Sequence, residues 1–105
     1  MNPSAAPTIK RGVTVDLGRI ERTGVLRHDD KHRSLVLLTD EGFERLSVNL
    51  DDYGLTPRPG HVFIKDFSEH AGLTERLARR GLVNPRRAYA VGMFDVIAYE
   101  VEVTF

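Results

Sequence analysis

Cysteine and tryptophan are both absent from this 105-residue chain. Without cysteine there is no disulfide, no thiol nucleophile and no cysteine-ligated metal, and the chain reads as cytoplasmic. Net charge is missing too, because fifteen Lys and Arg balance fifteen Asp and Glu. No global field therefore recruits nucleic acid or an acidic membrane, and the chain is not an acidic mimic of DNA. No stretch approaches the roughly 18 apolar residues of a membrane span. The opening residues MNPSAAPTIK lack the apolar centre of a signal peptide, so no membrane partner is expected. No Walker or dinucleotide glycine loop occurs, and no cofactor is expected. Repeats, heptads and low-complexity tracts are also lacking.

What remains is ordinary globular composition, 41% hydrophobic and 29% charged. A chain this long makes one domain, expected to bury roughly 60–68% of its unfolded surface. Residues 1–8, with Pro3 and Pro7, read as a flexible tail, and residues 9–105 as a single domain. Val13, Val15 and Leu17 alternate with polar neighbours, the period of a half-buried strand. A short strand from Gly24 to His28 leads into the polar turn Asp29-Asp30-Lys31-His32. The unbroken Leu35–Leu38 run predicts a strand buried on both faces. Gly42 suits a turn, after which Leu46, Val48 and Leu50 alternate as the next strand.

Gly54, Pro57, Pro59 and Gly60 keep regular structure out of residues 51–60. A strand is expected over His61–Lys65. Asp66 with Glu69, or Ser68, then caps a helix that ends by Gly81 and packs through Leu73 and Leu77. Pro85 follows, with Arg86 and Arg87 in a loop returning beside that helix. In the last strand Ile97, Tyr99, Val101, Val103 and Phe105 share a buried face, while Ala98, Glu100, Glu102 and Thr104 share a wet one. The Leu46, Val48 and Leu50 face joins the Ile97–Val103 face in one core. These patterns predict an α+β fold: an antiparallel five- to six-stranded sheet with one helix packed on one face.

One resemblance accompanies this pattern. LSVNL at 46–50, Leu55, FIKD at 63–66, S-E-x-x-G at 68–72, G-L-V at 81–83, Gly92 and Tyr99 carry it. On these residues the chain resembles a family of small bacterial proteins common on plasmids and phage-like elements, domain of unknown function 4313. The resemblance spans most of the chain. It brings no activity, and by association implies a role in plasmid or phage biology.

Candidate chemistry is thin. His28, Asp29, Asp30 and His32 are possible metal ligands, but Lys31 between them repels a cation and a hairpin turn does not align them, so no metal is expected. Ser68, Glu69 and His70 are the residue types of a hydrolytic triad. Adjacent residues point apart, though, and no nucleophile elbow surrounds Ser68. The pairs Asp29/Asp30 and Asp51/Asp52 read as solvated loop acids rather than general acid and base. The expectation is a protein that is not an enzyme.

Charge patterning is the feature that points outward. Arg76, Arg79, Arg80, Arg86 and Arg87 fall within twelve residues with no acid between them. Arg76, Arg79 and Arg80 flank one side of the helix, with Arg79 and Arg76 expected to reach solvent. Five acids lie between Asp40 and Asp52, and the loop residues Asp51, Asp52 and Tyr53 form the second candidate surface. The bland alternative is solvated faces with internal ion pairs. The expected function is a small non-enzymatic binding or accessory protein of a mobile element, most concretely an inhibitor or modulator of a host defence protein. The alternative is a weak nucleic-acid-binding module using the arginines. A protein partner is expected; its identity and the oligomeric state are not readable from sequence.

Overall fold

Alternating residues of the first strand do turn inward: Val13, Val15 and Leu17 are buried while Thr14 and Asp16 are half-exposed. The computed structural model describes residues 6–94 and 96–105; Met1–Ala5 of the expected tail lie outside them. Thr8 already belongs to strand β1 (Thr8–Asp16), which pairs with β2 (Glu21–Asp29). β3 (Ser34–Thr39) and β4 (Gly42–Arg45) complete an antiparallel meander ordered β1-β2-β3-β4. A second antiparallel sheet, ordered β5-β7-β6, uses β5 (His61–Ile64), β6 (Val83–Val91) and β7 (Val96–Val103). Helix α1 (Leu73–Arg79) connects β5 to β6 and packs on β1 and β6.

The fold is α+β, but the single sheet expected from sequence is two sheets, of four and three strands. Their seam explains why. Residues 46–50 were expected as a strand, whereas the ladder stops at Arg45 and only an isolated bridge joins Ser47 to Ile64. The Ser47 hydroxyl accepts the Leu35 N–H at 2.9 Å, so one short residue ties β3 to β5. Around it, Val48 donates to the Phe63 carbonyl and Lys65 to the Leu46 carbonyl, at 2.9 and 3.0 Å.

The expected common core is likewise divided. Leu46 and Val101 belong to the main core with Leu26, Leu37, Ile64, Leu73 and Leu77. Leu50 sits instead in a second cluster with Phe63, Val91 and Ala98, against which Val48 and Leu55 pack. The segment from Val48 to Leu55 thus folds over the far face of the second sheet. That overturns the wet face predicted for the last strand: Ala98 and Glu100 are buried, while Ile97 is exposed. Nor is β3 buried on both faces, since Leu38 points outward opposite Phe43.

The helix is shorter than predicted. Residues 68–70 form a 3-10 turn, and α1 begins at Leu73 after Gly72, whose φ of 87° no capping box would adopt. Asp66 does cap the helix, though from a distance, its two oxygens accepting the Gly72 and Thr74 N–H groups at 2.7 and 2.8 Å. At the other end Gly81 has φ 72°. Leu82 N–H reaches the Leu77 carbonyl and Gly81 N–H the Ala78 carbonyl, a Schellman closure with Leu77 and Leu82 both in the core. Seven residues make a marginal helix alone. Buried Leu73 and Leu77 hold it in place.

Candidate functional site

The arginines picked out by spacing are largely occupied within the molecule. Arg76 is not free: its Nε donates to the Asp16 carbonyl at 2.8 Å and its Nη1 to that of Ala71 at 3.3 Å. It clamps the end of β1 to the helix, because the short helix lies directly against that strand. Arg79 pairs with Glu75 one turn away, at 3.1 Å, on an exposed flank. Arg86 and Arg87 lie in β6 rather than in a loop, since the strand runs through Pro85 by way of a bulge. Arg86 meets Glu102 at 2.6 Å and helps to hold that carboxyl below its usual range. Arg80 and Arg87 are exposed.

The turn Asp29–His32 is only in part the solvated segment expected: Lys31 and His32 are exposed, Asp30 is half-buried and Asp29 is buried. His28 and Asp29 are buried, and the Asp29 carboxylate takes the His32 ring at 2.8 Å and its N–H at 3.3 Å. The His32 side chain is the main reason that Asp29 is held below the usual carboxylate range. Asp30 accepts the Gly60 N–H at 2.7 Å and pairs with Arg33, which also donates to the Pro57 carbonyl. The acids therefore lock the β2–β3 turn onto the loop before β5. Among the described residues no three of His, Asp and Glu converge as a metal would need. Ser68 and His70 sit in a turn closed by main-chain bonds from His70 to Phe67 and from Ala71 to Ser68.

Asp51, Asp52 and Tyr53 are exposed, in a 3-10 turn that opens with the Asp51 N–H on the Asn49 side-chain oxygen at 2.7 Å. Gly54, at φ 71°, closes it. Tyr53 reaches the β6–β7 turn: a Cβ on Gly92 would lie 3.5 Å from its hydroxyl. Beside it Met93 is 89% and Phe94 85% exposed, against 55% for Tyr53. Sequence reasoning passed over Met93 and Phe94, although two large apolar residues in a hairpin turn are themselves a signal.

Two clefts flank β4, and neither was foreseen. The larger, about 490 Å³, is lined by Val48, Leu50 and Pro57 together with Lys31, Arg33 and Arg45. The smaller, about 290 Å³, is bordered by Arg45, Lys65 and His70. The arrangement depends on the fold, because the basic residues come from separate parts of the chain.

Comparison with protein-family models, with curated proteins and with solved structures returns no match. Among the described residues no helix is long and apolar enough to cross a membrane.

Proposed function

We propose that this chain is a small non-enzymatic binding protein that docks onto a protein partner through the β6–β7 turn. The exposure of Met93 and Phe94 beside Tyr53 carries this reading. Leaving two such side chains in water forgoes roughly 1.5–3 kcal/mol each of burial, a cost that a partner would recover. Aromatic residues and Met are the types enriched at interface centres. Asp51 and Asp52 immediately precede Tyr53, so the complementary surface is an apolar groove with a basic rim. The resemblance to a mobile-element family supports a host protein as that partner, with inhibition or modulation of a defence protein as the most concrete role. The arginines are the weaker candidate surface, because Arg76 and Arg86 are engaged by other strands and Arg79 pairs with Glu75, which leaves Arg80 and Arg87 as the exposed remainder.

The experiment compares host-lysate proteins captured by the wild-type chain, by Met93→Ser/Phe94→Ser and by Arg79→Glu. A partner held by the wild type and Arg79→Glu, and lost by the turn variant, is the expected result. Equal capture by all three would sink the proposal.

A further inference from the structure

The clefts beside β4 carry a second inference, independent of the docking turn. Lys31 lies in the β2–β3 turn, Arg45 ends β4 and Lys65 follows β5. None of the three has a carboxylate partner among the described residues. Arg45 is the one residue that borders both clefts, so it bridges Lys31 in the larger to Lys65 in the smaller. A single small anion needs one such cluster. Cations distributed over two clefts that share Arg45 fit a ligand with repeated negative charge.

The larger cleft adds a recognition element. Its lining includes Val48, Leu50 and Pro57, and its volume of about 490 Å³ exceeds what a lone phosphate requires. Asn49 commits its side-chain oxygen to the Asp51 N–H, which leaves its amide NH2 to donate; Thr56 lines the same cleft. A cleft of this size, lined by apolar side chains and neutral donors, suits a heteroaromatic ring turned out of its stack. Asp51 and Glu44 each put a negative charge on one cleft, which disfavours a dense polyanion such as duplex DNA. We propose that these clefts bind single-stranded nucleic acid, with the backbone crossing Arg45 and a base seated in the larger cleft beside Val48, Asn49 and Thr56.

Fluorescence anisotropy with a labelled oligothymidylate of about twelve nucleotides tests this on the full chain. Binding at about 50 mM salt is expected to weaken with added salt at a log–log slope near −2, from three phosphate contacts. Arg45→Glu should weaken binding about tenfold or more, while Arg45→Lys and Arg79→Glu stay within about threefold. Circular dichroism confirms that each variant is folded. Absence of binding, or an Arg45→Glu variant that binds as the wild type does, overturns the inference. So does a duplex, a poly-glutamate peptide or thymidine monophosphate that competes as well as the oligomer.

Discussion

Arg58 gives both its backbone N–H, at 2.9 Å, and its Nε, at 3.5 Å, to one carboxylate oxygen of Glu100. The Tyr89 hydroxyl donates to the other oxygen at 3.3 Å. Glu100 is only 2% exposed, and burial alone would push its carboxyl up. The Arg58 N–H, the Arg58 charge and side chain, and Tyr89 outweigh that cost and hold it below the usual carboxylate range. A buried acid here is a lock between the loop before β5 and the middle of the second sheet.

Glu100→Gln should therefore destabilise the domain by about 1–3 kcal/mol at neutral pH. A carboxyl lowered on folding stabilises fully above its unfolded value, about 4.3, and loses that contribution as pH falls through its folded value. Urea unfolding is expected to show a gap between wild type and variant at pH 7 that closes in strong acid. A gap that persists unchanged would mean that the ionised form does not matter.

His28 supplies a second, higher window. Burial lowers its pKa, against the pull of Asp30 and Asp29 and with a small push from Arg33. Its ring lies edge-on to Phe105, 6.4 Å between centroids, and its Nε2 has no hydrogen-bond partner. The folded state thus favours neutral imidazole. That contribution is complete above the unfolded value of about 6.5 and is lost as pH falls toward the lowered folded value. Melting curves should show the wild type weakening below about pH 6.5, with that step missing in His28→Leu.

Arg76 and Arg79 look alike in sequence and should behave differently. Arg76→Ala removes the bond to the Asp16 carbonyl that pins the helix to β1 and a second to the Ala71 carbonyl, at a cost of about 1–2 kcal/mol. Arg79→Ala loses an exposed i,i+4 pair and should change stability by less than about 0.5 kcal/mol. Paired denaturant titrations decide between this ordering and the equal effects expected of two solvated charges.

Two glycines separate conformational strain from collision. Gly81 has φ 72° with open space around it, so Gly81→Val should cost about 1 kcal/mol or somewhat more. Gly24 has an ordinary φ, but a Cβ there would lie 1.9 Å from the Leu38 carbonyl oxygen. Gly24→Ala must part β2 from β3, and about 2 kcal/mol or more is expected. Thermal melts that rank Gly81→Val as the more damaging would contradict the β2–β3 register.

Local signals were legible where a residue's neighbours in sequence decide its environment. Alternation placed Val13, Val15 and Leu17 inward, since a strand's period is a property of the backbone itself. The i,i+4 spacing of Leu73 and Leu77 marked the helix face, and Gly81 marked its end. Only Gly tolerates that left-handed closure cheaply.

Tertiary structure decided the rest. Alternation in β7 says that the two faces differ, but not that a distant loop will cover the polar one. Val48, Leu50 and Leu55 do so, turning Ala98 and Glu100 from expected surface into interior. Spacing grouped Arg76, Arg79 and Arg86, yet partners from β1, α1 and β7 engage each of them. Lys31, Arg45 and Lys65 carry no shared motif: the first two come from the β2–β3 turn and β4 of the four-stranded sheet and Lys65 from the segment after β5, and they line two clefts that share Arg45. Sequence specifies residue chemistry and local period; which charges meet, and which remain unpaired, follows from contacts between segments far apart in the chain.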